Sequence, residues 1–292
     1  PGNRRGAGRL SSELHQLYFP LTIPHPERLE RWRLLQGYSG VEVKRHKPVS
    51  AVTYRIRAPH PAAVGKRLAF AADLHYRDRA PDRERLAGIL RILAEYRPGY
   101  LLLGGDLSAD AVDMGCLPGM LKKLSSAAPV TLAVPGNWER GKSWIPMSLW
   151  ASICRQGGVE FLCNQSWNDD VFYFYGCDDL ALGAPQLPRR WSGDKTNVLL
   201  VHRPDTVIAM DVADSLRGVT LAVCGHTHGG QIRLPFIGPI YASSRYGCAL
   251  SYGQFEREEF GTRMIVSSGI SNQSLRWRFN CRREVVLIEF TA

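Results

Sequence analysis

From about residue 52 the chain alternates apolar runs of strand length with helical patterns. The runs are VTYRIR (52–57), LAFAADLH (68–75), YLLLGGDL (100–107), VTLAVPGN (130–137), FYFYGC (172–177), NVLLVHR (197–203), TLAVCGHTH (220–228), RMIVSSG (263–269) and VVLIEF (285–290). Near-continuous apolar runs of this length predict strands buried on both faces. Between the second and third lies PDRERLAGILRILAEYRPG, which predicts a helix. Pro81 sits at its start, Leu86, Leu90 and Leu93 line one face, and Pro98-Gly99 stop it. Similar helical patterns occupy roughly 117–127, 143–156 and 205–214. Buried strands separated by helices predict an α/β layered fold. No internal repeat or low-complexity tract interrupts it.

Residues 1–50 have a different texture and read as an accessory segment ahead of a main domain over 51–292. Pro20, Pro24 and Pro26 break the segment up, and HPERLERWRLLQGY (25–38) predicts a short amphipathic helix with Leu29, Trp32 and Leu35 along one face. Charge sharpens the division. The net charge is +10, yet residues 1–70 hold 13 Lys/Arg against 4 Asp/Glu, while residues 71–292 hold 24 against 23. The basicity is thus a property of the first quarter. It suits an anionic partner, and Trp32 and Tyr18 are interfacial residue types. A lipid surface is favoured over nucleic acid, because the basic stretch carries no nucleic-acid-reading motif.

With 45% hydrophobic residues over 292 positions, disorder, collagen and coiled coil are excluded. No apolar run approaches the ~20 residues of a membrane span. The chain opens at Pro1 with no signal-peptide pattern, which leaves room for an upstream segment. Seven scattered cysteines without a CxxC pair predict reduced thiols in a cytosolic protein.

The candidate chemistry lies where the apolar runs end. They run out into Asp73-Leu74-His75, Gly104-Gly105-Asp106, Gly136-Asn137, His202, and Gly225-His226-Thr227-His228-Gly229-Gly230. Side chains at the carboxyl ends of parallel strands converge on one sheet edge. Strand alternation predicts that Asp73 and His75 point the same way, as do His226 and His228. Neighbouring glycines supply turns with positive φ. Of the eight histidines (15, 25, 46, 60, 75, 202, 226, 228), the four beyond residue 70 all fall at these ends. One such histidine would ordinarily be a surface or core residue, and Asp106 or Asn137 alone a turn former. The whole series predicts a metal site, whose N/O donors suit manganese, iron or zinc rather than a thiolate-held structural zinc.

The order DxH, GD, GN, H, GHxH is similar to that of the calcineurin-like metallophosphoesterase superfamily, over roughly residues 68–290. The resemblance implies a two-sheet β-sandwich flanked by helices, with a two-metal centre at its edge. Carried over position by position, Asp73, His75 and His228 hold the first divalent ion, Asp106 bridges, and Asn137, His202 and His226 hold the second. Asp106, Asn137 and His202 are then the catalytic residues. Two cations ~3.5–4 Å apart clamp a phosphoryl group and bring a water's pKa from 15.7 to about 7, so no protein nucleophile is required. None is suggested: the sequence lacks GxSxG, a Walker loop and a dinucleotide fingerprint.

One position departs from the family. Its third motif reads GNH followed by an acid; here it reads Gly136-Asn137-Trp138-Glu139. The missing histidine is credited with protonating the leaving oxygen or stabilising the transition state; general acid catalysis is worth roughly 10²–10⁴-fold, and an indole N–H cannot supply it. One consequence is an enzyme whose leaving group needs no proton, as in pyrophosphate cleavage, with Arg140 and Lys142 as candidate stabilising cations. The other is a non-catalytic metal-bound scaffold, as in a retromer subunit of the superfamily. The seven intact ligand positions favour the enzyme.

After the last ligand comes IRLPFIGPIY (232–241), unusually apolar for a loop beside a charged site. It resembles the branch of bacterial membrane-associated phosphodiesterases and UDP-2,3-diacylglucosamine pyrophosphohydrolases, as does the closing stretch Arg278-Phe279-Asn280-Cys281-Arg282-Arg283-Glu284. In one branch of the pyrophosphohydrolases the missing histidine is an arginine. The resemblance implies contact of the loop with acyl chains or a membrane, and nominates Trp138, Arg140, Arg233 and Phe236 as substrate contacts. The expected protein is a two-metal phosphohydrolase on a phosphorylated small-molecule or lipid substrate, cytoplasmic and peripheral on the inner face of a bacterial membrane. Its first-choice reaction cleaves UDP-2,3-diacylglucosamine to UMP and a lipid monosaccharide phosphate in lipid A synthesis. A general phosphodiesterase on nucleotide or aryl esters is the alternative.

Overall fold

The computed structural model describes residues 26–37, 41–110, 112–141, 144–212, 215–272 and 277–292. Every predicted strand and helix from residue 52 onward is present, with ends shifted by a few residues. Two seven-stranded mixed sheets carry the fold. In spatial order the first holds Glu42–Lys44, Ser50–Arg57, Glu284–Thr291, Arg67–Ala71, Tyr100–Leu103, Val130–Ala133 and Glu160–Phe161. The second holds Trp32–Gln36, Gly253–Arg257, Thr262–Val266, Leu221–Cys224, Thr196–Leu200, Phe172–Gly176 and Gln165–Asn168.

The strand alternation builds three core layers. Leu68 and Phe70 face the middle of the sandwich, where they meet the same cluster as Phe172, Phe174, Val198 and Val223 from the second sheet. Ala69 and Ala71, the alternate positions, face outward into a cluster with Leu86, Ile89 and Leu93 of the helix Ala80–Tyr96 and Leu121 of the helix Leu117–Ser125. On the far side Leu199, Ala222 and Cys224 pack with Val207, Ile208 and Met210 of the helix Pro204–Val212. The result is the two-sheet sandwich flanked by helices that the motif order implied.

Arg67–Ala71, Tyr100–Leu103 and Val130–Ala133 run parallel in the first sheet. Phe172–Gly176, Thr196–Leu200, Leu221–Cys224 and Thr262–Val266 do so in the second. The carboxyl ends of both sets meet at one edge, joined there by Ile270 N–H to Ala72 O (3.0 Å) and Ser271 N–H to Asp73 O (2.8 Å).

The amphipathic helix over 25–38 does not form as predicted. Only Pro26–Leu29 is helical, and Trp32–Gln36 is an edge strand antiparallel to Gly253–Arg257. A spacing of three over Leu29, Trp32 and Leu35 suits a helix, but so short a stretch is decided by its pairing with the partner strand rather than by its own pattern. Trp32 enters the core of the second sheet and donates from Nε1 to Asp211 Oδ2 (3.2 Å). Trp32–Gln36 and Glu42–Lys44 therefore extend the two sheets ahead of residue 51, the boundary expected from the change of texture. Tyr18 and the rest of 1–25 lie outside the described residues. Among the described residues no helix is long and apolar enough to cross a membrane.

Candidate metal centre

The strands end sooner than their apolar runs. Arg67–Ala71 stops two residues before Asp73, Tyr100–Leu103 three before Asp106, and Leu221–Cys224 two before His226. Strand alternation is therefore not what aligns the donors. Asp73 (φ 57°), His75 (40°), Asp106 (53°), His226 (70°) and His228 (51°) all adopt left-handed backbone instead. Such residues cost of order 1–3 kcal/mol each and persist where their surroundings over-determine them. Here Asp73 N–H donates to Gly105 O (3.1 Å) and His75 N–H to Asp106 O (2.9 Å). His226 N–H reaches the Asp73 carboxylate across the two sheets at 3.0 and 3.1 Å. Gly105 (φ 84°) is required where it stands, since a Cβ there would lie 2.6 Å from Gly136 N.

These loops bring six of the seven predicted donors together, buried, in two adjoining groups, with the half-buried Asn137 beside the second. Asp73, His75 and His228 form one; Asp106, His202 and His226 form the other; within each, the donor atoms lie within 4.8 Å of one another. Asp106 Oδ2 stands between them, 3.6 Å from His75 Nε2 and 3.4 Å from His202 Nε2. Asn137, at the start of the short helix Asn137–Gly141, puts Oδ1 2.9 Å from His202 Nε2.

Partners behind the donors orient them. His202 Nδ1 lies 2.7 Å from Gly104 O and His228 Nδ1 3.2 Å from Ser271 O, which turns both Nε2 atoms inward. His226 is reversed and offers Nδ1, 3.1 Å from His202 Nε2. The wholly buried Glu139 carboxylate accepts N–H bonds from Asp106 (2.9 Å), Leu107 (2.9 Å) and Gly136 (2.8 Å). It thereby ties two donor loops into one body. Arg278 braces the first group from behind, donating to Ser268 O (2.7 Å) and to Ser271 O.

Burial pushes the Asp73 carboxyl up to about 7. Burial acts the same way on Asp106, but the charges of His202 and His75 prevail and hold it well below the usual carboxylate range. His202 shows the reciprocal effect: burial lowers it, Asp106 overrides, and its pKa rises to about 9. Burial drives His226 and His228 well below ordinary histidine values, so both are neutral. Buried carboxylates beside pre-aimed imidazoles, those of His226 and His228 neutral, and an amide oxygen fit divalent metal ions.

The proposed substrate contacts are placed differently from one another. The Trp138 ring stands edge-on to His75, centroids 5.0 Å apart, at the first group. Arg140 forms a fork with the buried Asp178, Nε to Oδ1 at 2.6 Å and Nη2 to Oδ2, so it locks a loop rather than lining the cluster. Lys142 lies outside the described residues. Arg233 donates to Gly229 O (2.9 Å) and lies over the Tyr252 ring. Phe236 is fully exposed at the tip of the hairpin Arg233–Leu234/Gly238–Pro239. Ile237, Ile240, Tyr241 and Phe279 are exposed with it, and Phe279 hydrogen-bonds back to Gln231 and Arg233 of the hairpin base (2.9 and 3.0 Å). Beside the second group a cavity of about 410 Å³ is lined by Asn137, His226, Arg203, Tyr241 and Arg245.

Sequence reasoning did not find Glu139, Asp178, Asp179 or Arg203. Two of them carried a signal, since Glu139 is an acid two residues after Asn137 and Arg203 follows His202 directly.

A two-sheet sandwich with two adjoining N/O donor groups at its parallel-strand ends defines a metal-dependent phosphoester hydrolase. The chain belongs to the calcineurin-like phosphoesterase family, whose profile matches residues 66–230. It is 29% identical over 234 residues to Phosphodiesterase YaeI of Escherichia coli (strain K12), covering 76% of this chain and 81% of that protein. It is likewise 29% identical over 217 residues to the uncharacterized metallophosphoesterase YkuE of Bacillus subtilis (strain 168), covering 70% and 72%.

Proposed function

We propose that the protein hydrolyses a pyrophosphate linkage in a lipid-bearing substrate, with UDP-2,3-diacylglucosamine cleaved to UMP and a lipid monosaccharide phosphate in lipid A synthesis as the first choice. The observation that carries this reading is the exposed apolar strip at Phe236, Ile237, Ile240 and Tyr241, which begins eight residues after His228. A soluble protein seldom exposes large apolar side chains side by side unless they meet a partner, and acyl chains or a bilayer are the fitting one. The basic excess of residues 1–70 supplies counter-charge for an anionic surface, consistent with peripheral attachment at the inner face of a bacterial membrane.

In this reading Asp73, His75 and His228 would hold one divalent ion and Asn137, His202 and His226 the other, with Asp106 placed between the two groups to serve them. Manganese is the first candidate for both, with iron or zinc as alternatives. When bound, the pair supplies Lewis acidity at a phosphoryl oxygen and an activated water. Asp106, Asn137 and His202 fix where the phosphoryl group lies. Trp138 offers no titrating proton to a leaving alkoxide, which favours a phosphate leaving group.

A second reading, a general phosphodiesterase on nucleotide or aryl esters, is favoured by the likeness to a relative named phosphodiesterase. Purified protein with Mn²⁺ is to be assayed against UDP-2,3-diacylglucosamine and an aryl phosphodiester, with metal content measured alongside. Preference for the former by kcat/KM supports the first reading, and turnover of the diester alone supports the second. Inactivity on both with full metal loading overturns both.

A further inference from the structure

We propose that the adjacent aspartates Asp178 and Asp179 are positioning residues for the second donor group. Each clamps a guanidinium from one of the two elements that deliver Asn137 and His202, and together they set the spacing of that pair. The inference rests on the reading of the cluster as a two-metal hydrolase site.

Asn137 and His202 reach the group from different sheets. Asn137 follows the strand Val130–Ala133 of the first, and His202 follows Thr196–Leu200 of the second. They meet side chain to side chain, Oδ1 to Nε2 at 2.9 Å, so a small slip of one sheet against the other would open the pair. The loop 178–184, which follows the strand Phe172–Gly176, holds both from one side.

Asp178 takes the Asn137 side. Its Oδ1 accepts from Arg140 Nε (2.6 Å) and Asp179 N–H (2.8 Å), and its Oδ2 from Arg140 Nη2 and Ala184 N–H (2.8 Å). Arg140 lies three residues beyond Asn137 on the helix Asn137–Gly141. Asp179 takes the His202 side. Its Oδ2 accepts from Nε of Arg203, the residue after His202 (2.7 Å), and its Oδ1 from the N–H groups of Ala181 (3.0 Å) and Leu182 (2.9 Å). The same guanidinium lies against His226, Nη1 to Nε2 at 2.6 Å, so the contact reaches a further member of the group.

Both aspartates are only 1% exposed. Neighbouring buried carboxylates repel, and each is tolerated only with its own cation and a full set of donors. All four oxygens are engaged, and the Arg140 fork fixes direction as well as charge. A Cβ at Gly183 would collide with the Asp178 carboxylate, so the chain closes over it only as glycine. The first donor group is braced separately, by Arg278 on the carbonyls of Ser268 and Ser271. Loss of either aspartate should therefore be felt at the second group alone.

The test uses the full chain and the variants Asp178→Asn, Asp179→Asn, Arg140→Lys and Arg203→Lys. Asparagine keeps the size and loses the charge; lysine keeps the charge and loses the planar contacts of the guanidinium. Each protein, stripped of metal, is titrated with Mn²⁺ by calorimetry, and Asn137→Ala marks the step that belongs to the second group. In the aspartate variants that step should weaken about 10- to 100-fold, the loss found when the partner behind a metal ligand is removed. The other step should keep its wild-type affinity, and the lysine variants should fall in between. A merely structural loop would lower the melting temperature and leave both steps unchanged, or weaken both alike, and either result overturns the proposal. If an asparagine variant does not fold, the two lysine variants carry the comparison, and wild-type affinity at the second step in both overturns it. A wild type that takes up only one ion per chain sinks the two-metal reading and this inference with it. Two ions held equally well by wild type and variants sink this inference alone.

Discussion

Residues 225–230 and 232–241 are neighbours in sequence and opposites in physics. The first stretch buries His226 and His228 in left-handed backbone, held by Asp73 and Ser271. The second sends Phe236, Ile237, Ile240 and Tyr241 into solvent. Each departs from what folding alone would select. The first sets polar groups inside at the cost of backbone strain, and the second sets apolar groups outside at the cost of exposed surface. In the proposed reading a phosphoryl group reaches the polar cluster from an apolar surface, and both stretches then have a use. Substitutions in the buried stretch should therefore alter chemistry and metal affinity, and those at the exposed Ile237 and Ile240 should alter association with an apolar surface.

Asp106→Ala should give the largest effect. It removes the carboxylate that stands 3.4 and 3.6 Å from histidines of the two groups. Mn²⁺-dependent hydrolysis should vanish and metal content should drop, with the circular-dichroism spectrum unchanged. Hydrolysis at the parent rate would break the assignment of the cluster. In the wild type, saturating metal should stabilise by about 2.7 kcal/mol per site at a hundredfold excess over Kd, read as a rise in melting temperature that a chelator reverses. A melting temperature indifferent to metal and chelator would count equally against it.

Trp138→His comes next and discriminates by leaving group. A histidine beside His75 restores a proton donor worth roughly 10²–10⁴-fold where the departing oxygen is an alkoxide. Alkyl diesters should gain by that order and pyrophosphates far less. Uniform acceleration of both would mean that the Trp138 ring only obstructs the site.

Glu139→Gln should act at intermediate size and through position alone. The amide retains one acceptor where the carboxylate serves three N–H groups, and it turns an NH₂ toward buried donors. Stability should fall by about 1–3 kcal/mol and metal affinity by about 10- to 100-fold. Wild-type metal affinity in the variant would show that the Asp106 and Gly136 loops hold their geometry without Glu139.

The contrast also accounts for what could be read from the sequence. The gathering of these polar residues was legible because a buried apolar run that ends in Asp, Asn or His is conspicuous, and because all four histidines beyond residue 70 fall at such ends. Their alignment was not legible. It comes from left-handed residues past the strand ends, and that conformation is imposed by contacts such as Asp73 N–H to Gly105 O across loops. The edge strand Trp32–Gln36 was misread for a similar reason. Its pairing partner, Gly253–Arg257, lies over two hundred residues away, and GQFER lacks the apolar run that marks the central strands. Arg140 read as a candidate substrate cation because its partner Asp178 is distant in sequence. The strip at 232–241 was visible as an apolar run, but only the fold separates a loop that packs over the sheet edge from one that stands clear of it.

The smallest expected effect on the fold, and the sharpest test of the comparison, is the double substitution Ile237→Ser with Ile240→Ser. These side chains are 74% and 61% exposed, so little burial is lost and the melting temperature should move by no more than a surface change allows, within about 0.5 kcal/mol per site. Metal content should equal that of the wild type. Pelleting with anionic vesicles should weaken in the variant, because each isoleucine is worth about 1.5–3 kcal/mol when fully buried in an apolar phase, and partial insertion yields a share of that. Raised salt should weaken pelleting of both proteins by screening the basic excess, while leaving the difference between them in place. If the double variant pellets like the wild type and instead loses stability, the strip belongs to the core in solution, and the contrast between the two stretches falls.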